Sequence, residues 1–226
     1  MIEKLKKFDL DISDIEKLNA FESRDGFALL DDAEFDEMAN CLARLPIYRH
    51  LLALLTDGNS NYWCVNTDGA MKGMICYLSH DEPDLAPKFK NISRFLQAIN
   101  ENPEADDFYD LAEDLFDFPN SGKQLEFDER KKIIETLQSD FTSEADEDIQ
   151  TQIAFSIIAL TSIDEIEENI FPFLDDEDMY IQERAIQILG FHQYKPAKEK
   201  LMELKKTAMP NGQTAIKTAL EKLDGN

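Results

Sequence analysis

The stretch His80-Asp81-Glu82-Pro83-Asp84 packs one imidazole and three carboxylates into five residues, the one cluster in the chain whose mixture of ligating groups suggests a metal. Such groups serve divalent metals and general acid-base catalysis. Consecutive residues rarely converge on one ion, however, and Pro83 stiffens the segment into extended geometry. An exposed polar loop that contacts a partner fits the pattern better. A second acidic stretch, Leu174 to Tyr180 (LDDEDMY), lacks the central glycine and terminal glutamate of a calcium-binding loop. Helix capping accounts for such acids, which favour the positive end of the helix that follows.

No other spacing assembles a reaction. The chain has no GxGxxG, P-loop, HExxH or GxSxG motif. His50, His80 and His192 lie in unrelated contexts. Cys41, Cys64 and Cys76 have no CxxC spacing and apolar surroundings, which predicts buried free thiols. The expectation is a protein without catalytic residues, bound metal or cofactor. An enzyme would require His80 and Asp81 to meet a distant acid of perturbed titration in a deep pocket.

The elements that position these residues change character along the chain. Phe35, Met38, Ala39 and Leu42 share one helical face, and that helix ends before Pro46. Ile47, Leu51, Leu54 and Leu55 continue helically to Asp57-Gly58-Asn59, where Gly58 supplies a left-handed stop. Tyr62 to Val65 and Met74 to Leu78 read as a hairpin around Thr67-Asp68-Gly69-Ala70. Ile92, Phe95, Leu96 and Ile99 mark another amphipathic helix. Trp63, the only tryptophan, and Tyr62 point to opposite faces of their strand, so one can be core while the other meets a partner.

From Pro103 onward every signal is helical. Ala105, Phe108, Tyr109, Ala112, Leu115 and Phe116 form one face, which Phe118 to Gly122 terminates. Ile133, Ile134 and Leu137 mark the next helix, and the uncharged run Ile149 to Ile163 predicts a buried central one. Ser162 and Glu165 have capping-box spacing, while Asp178 and Gly190 bracket another helix. Ile149-Gln150 and Ile181-Gln182 begin similar segments 32 residues apart, and the segment from Gln213 repeats the pattern. Helix pairs at that period resemble HEAT-like repeats, in which each pair buries its apolar face against its neighbours. The expected architecture is an α+β domain over 1–102, helices packed on a small antiparallel sheet, followed by an all-α HEAT-like domain over 103–226.

Charge narrows the class of partner. The chain carries 47 acidic and 23 basic residues, a formal net charge of −24. Residues 1–100 hold 17 acidic and 11 basic, 101–180 hold 25 and 4, and 181–226 hold 5 and 8, so the excess is central. Such a field repels nucleic acid and anionic lipid and attracts a cationic partner. With 43% hydrophobic residues the chain has the material for a core, unlike a disordered acidic tail. No run reaches a membrane span and the first residues lack a signal-peptide core, which predicts a cytoplasmic protein.

Leu45-Pro46, Tyr48, the leucine run from Leu51 to Leu55, Asp57-Gly58-Asn59 and the aromatic strand after them resemble the SUKH superfamily, over about residues 25–100. In that family a Leu-Pro segment opens a helix, a polar-glycine turn ends it, and an aromatic-rich strand begins the sheet. Phe89 to Ile99 is similar to its closing helix. The resemblance implies a non-enzymatic protein, and for many bacterial members an immunity protein that neutralises a polymorphic toxin, often a nuclease. The expected contacts with a toxin of basic surface are Asp57, Tyr62, Trp63, Asp81, Glu82 and Asp84 from the first domain. Asp175, Asp176, Glu177 and Asp178 supply those from the second. The alternative is an intracellular scaffold or regulatory adaptor; oligomeric state stays open.

Overall fold

The computed structural model describes residues 1–81, 83–119 and 129–225. It divides into two compact units, Met1–Phe118 and Pro119–Asn226. The first is a small antiparallel sheet with helices and the second is helical.

The first unit begins with α1 (Ile2–Leu5) and α2 (Ile12–Asn19), then β1 (Ala28–Leu29) and α3 (Asp32–Leu42). Asp31 caps α3 by accepting from the Ala33 and Glu34 amides, while Glu34 reaches back to the Asp31 amide. A 3-10 turn at Pro46–Tyr48 leads into β2 (Leu51–Thr56), then β3 (Tyr62–Asn66), β4 (Ile75–Leu78) and α4 (Ile92–Glu101). The four strands form one antiparallel sheet in chain order.

Here the leucine run departs from expectation: Leu51 to Leu55 is a strand, not a helix. Paired on both edges by β1 and β3, and buried from Leu51 through Leu55, β2 is the kind of inner strand whose sequence shows no polar alternation. The Asp57-Gly58-Asn59 segment therefore joins two strands instead of closing a helix. Gly58 does adopt the left-handed conformation, at φ +79°, but within that hairpin loop. Two features that carry the SUKH resemblance, the helix after Leu-Pro and its terminating turn, thus take another form.

Trp63 lies at the centre of the first core. Its ring packs against Tyr77 at 5.0 Å, Phe95 at 4.6 Å, Phe89 at 5.9 Å and Phe108 at 5.3 Å. Burial of this kind contributes roughly 3–5 kcal/mol, judged by the cost of truncating a core aromatic. Phe108 belongs to the stretch 103–118, which is part of this first unit. This stretch is no single helix; it holds 3-10 turns at Phe108–Asp110 and Glu113–Leu115. Asn120, Ser121 and Gly122, expected to end that helix, lie outside the described residues.

Arg24 holds the segment in place. Its guanidinium donates to the carbonyls of Ile99 (3.2 Å), Asn102 (2.9 Å), Pro103 (3.3 Å) and Ala105, at the C-terminal end of α4. Two residues on, Gly26 has φ +74°, and a Cβ there would sit 1.8 Å from the Asp106 carbonyl oxygen, so the close approach admits only glycine.

The second unit contains α5 (Arg130–Ser143), α6 (Glu147–Leu160), α7 (Ile166–Asn169), α8 (Met179–Phe191), α9 (Lys198–Leu204) and α10 (Pro210–Leu223). Helix α8 packs on both α6 and α10. These three share a device: their fourth residues, Gln150, Gln182 and Gln213, each donate from Nε2 to a carbonyl in the chain just before the helix. The acceptors are Phe141 (3.0 Å), Leu174 (2.9 Å) and Ala208 (2.9 Å). As expected, α6 is deeply buried, from Ala154 through Leu160. Gly190 does not end α8, which runs to Phe191. It lies where α8 and α10 touch, since a Cβ would come 2.9 Å from Ala219 Cα. Among the described residues no helix is long and apolar enough to cross a membrane.

Replacing Arg24 by Met keeps the aliphatic stem but strips four carbonyls of their donor. Urea unfolding should show a loss of about 2–3 kcal/mol, as for hydrogen bonds to a charged group; an unchanged midpoint would refute the clamp.

Candidate functional site

The expected contact residues fall into two groups, one in each unit, and several are already committed to the fold. Trp63 is 2% exposed and is core, so it is corrected from a contact anchor to the hub of the aromatic cluster. Tyr62, on the other face of β3, is half-buried; burial and the nearby Glu34 carboxylate push its hydroxyl pKa up.

In the first unit Asp57, Asn61 and His80 form a hydrogen-bonded chain, with the Asp81 carboxylate beside its end. Asp57 Oδ1 accepts from the amides of Asn59 (2.7 Å) and Asn61 (3.3 Å), and its Oδ2 from the Asn61 side chain (2.7 Å). Burial raises the Asp57 pKa, but these hydrogen bonds outweigh it and hold the carboxyl below the usual range. The buried Asn61 then presents Oδ1 to the His80 amide (2.9 Å) and to His80 Nδ1 (2.8 Å). His80 Nε2 meets Asp81 Oδ1 at 3.1 Å. The hairpin loop and the chain leaving β4 are locked together this way. Asp84 accepts from the Ala86 amide (3.1 Å) and pairs with Lys88 (3.4 Å), and Glu82 lies outside the described residues. Among the described residues no group of three His, Cys, Asp or Glu side chains is placed to hold a metal.

In the second unit the acidic turn before α8 is divided in its tasks. Asp178 Oδ1 caps α8 by accepting from Tyr180 (2.7 Å) and Ile181 (3.3 Å), and its Oδ2 accepts from Thr151 of α6 at 2.9 Å. Asp176 accepts from the Asp178 amide; burial, together with Asp178 and Glu177, pushes its pKa up. Asp175 pairs loosely with Lys200 at 3.4 Å, and Glu177 is exposed. The Thr151 bond sets the first turn of α6, with exposed Asp146, Glu147 and Asp148, beside this turn. Tyr180, 51% exposed on the first turn of α8, completes the edge. No sequence signal separated it from a core aromatic, because its neighbours Met179 and Ile181 are also apolar.

The remaining reactive side chains are placed structurally. Cys64 and Cys76 face each other across β3 and β4, and burial pushes Cys76 up to about 12 and Cys64 well above its ordinary value. Cys41, expected to be buried, is exposed on α3. Burial lowers the His192 pKa to about 4.

Asp57 gives a signed pH dependence. Its lowered folded pKa stabilises the hairpin loop above the ordinary carboxylate range, and that contribution disappears as pH falls through the folded value. Asp57→Asn should therefore be less stable than the parent at pH 7, with the gap closing on acidification; a gap independent of pH would contradict the assignment. No family model matches this chain, and neither curated proteins nor solved structures yield a match.

Proposed function

We propose that the chain is a non-catalytic immunity protein that binds a cognate toxin of basic surface and occludes its active site or substrate groove. The observation that carries the reading is the acidic edge of the helical unit, where the Thr151–Asp178 bond ties α6, which begins at exposed Asp146 to Asp148, to the acidic turn Asp175 to Asp178, and exposed Tyr180 follows that turn. Capping needs Asp146 and Asp178 alone. Asp175, Glu177, Glu147 and Asp148 cap nothing through their side chains, and the raised pKa of Asp176 means that its ionised form opposes folding at neutral pH. Asp176 is thus kept at a cost to the fold, which points to a use outside it.

A basic protein surface suits the edge. Carboxylates speed its encounter and pair with its Lys and Arg, while an exposed tyrosine offers the flat anchor on which guanidinium groups stack. A nuclease groove, built to attract phosphate, would be drawn by the same charge. The repeated Gln150, Gln182 and Gln213 bonds support a HEAT-like reading of the helical unit, whose stacked pairs make an extended binding face. The SUKH resemblance adds the expectation that the partner is a toxin.

The test is co-expression with the protein encoded beside it. Relief of that protein's toxicity, and a one-to-one complex on size exclusion, are expected. Toxicity unchanged by the chain would reject the immunity role and favour an adaptor.

A further inference from the structure

A cationic cleft lies on the first unit, between the end of α2 and the length of α4, in a chain dominated by carboxylates. Its volume is about 730 Å³, and a smaller neighbour of about 350 Å³ shares Lys90 and Asn91 with it. Lys17, Lys90 and Arg94 line the larger cleft, above Phe21 and Leu96. The acids closest to them are already used: of those beside Lys90 in the smaller cavity, Asp9 pairs with Lys72 at 3.2 Å, and Asp11, which also attracts Lys17, caps α2 through the Ser13 amide at 2.7 Å. Asp14, 4% exposed, accepts from the Ser93 amide (3.2 Å) and the Ser93 hydroxyl. Asp117, 1% exposed, accepts from the Lys90 amide (3.0 Å) and from Arg94 Nε (3.1 Å) and Nη2 (3.0 Å).

The two ammonium groups are differently placed. Lys17 Nζ donates to Ser93 Oγ at 2.9 Å and reaches Asp14 only through that hydroxyl. Lys90, half-buried, has no ion-pair partner among the described residues and lines both clefts. Asn91 turns its Oδ1 to the Arg94 amide (2.9 Å), which leaves its NH2 as a further donor. Glu101, at the far end, is held by Gln97 at 2.7 Å. An open groove that sets two incompletely matched ammonium groups and the Asn91 NH2 beside apolar Phe21 and Leu96 is complementary to a dianion carrying an organic group.

We propose that this cleft binds a small organic phosphate, with Lys17 and Lys90 on the phosphate oxygens and Phe21 and Leu96 against the organic part. The proposal is independent of the immunity reading, which rests on the other unit.

Titrating the isotope-labelled full chain with phenyl phosphate and with inorganic phosphate, followed by amide chemical shifts, tests it. Saturable shifts confined to residues 17–21 and 90–97 are expected, with phenyl phosphate the tighter ligand. The double variant Lys17→Ala and Lys90→Ala should weaken phenyl phosphate at least about tenfold, the loss of one charge-assisted hydrogen bond. Lys205→Ala with Lys206→Ala should change nothing. If alanine disturbs amides beyond the cleft, the Lys17→Gln and Lys90→Gln pair reads the same loss. Shifts that never saturate and spread over surface lysines would overturn the proposal, as would saturable binding indifferent to the substitutions at Lys17 and Lys90.

Discussion

The first turn of α4 is the point on which the sheet-bearing unit depends. Two buried carboxylates converge there, Asp14 from α2 and Asp117 from the end of the unit. One takes the Ser93 amide and the other takes Lys90 and the Arg94 guanidinium, so the positive end of the helix is neutralised within the protein. Leaving either charge buried without its donors would cost about 3–5 kcal/mol, a large share of the ~5–15 kcal/mol by which domains are stable. Arg24 closes the other end of the same helix, and its inner face carries Phe95 against Trp63. The stretch 103–118 belongs to this unit because it supplies Asp117 and Phe108 to those contacts.

The helical unit is governed by a different constraint, repetition. A glutamine at the same helical position satisfies a carbonyl at three successive entries, and Gly190 and Gly212 let neighbouring segments approach closely. Gln182 also accepts from the Met209 amide at 3.2 Å, which ties one pair to the next. With helix register fixed by these contacts, the loops before α6 and α8 are free to carry charge. That freedom is what the acidic edge uses.

Much of this was legible beforehand. Helix α3, the β3–β4 hairpin, α4 and the buried α6 follow directly from apolar periodicity and turn residues. The leucine run did not, because an inner strand and a buried helix both read as unbroken apolar sequence, and only its partners β1 and β3 decide between them. The 103–118 stretch shows helical spacing, yet its aromatics serve the Trp63 cluster, so tertiary packing overrides the local pattern. Among site residues, Asp57 and Asp81 looked like exposed loop acids; that Asn61 and His80 link them depends on a pairing across the sheet. Lys17 and Lys90 are invisible as a pair, since only the packing of α2 beside α4 brings them to one cleft.

The acidic edge is proposed to capture a basic partner, and the association rate of the chain with that partner against ionic strength, for the parent and for Asp175→Asn with Glu177→Gln, tests this capture. The rate is expected to fall steeply as salt screens the edge, and the variant to be slower at low salt with a flatter dependence. A rate indifferent to salt and equal in the variant would contradict it.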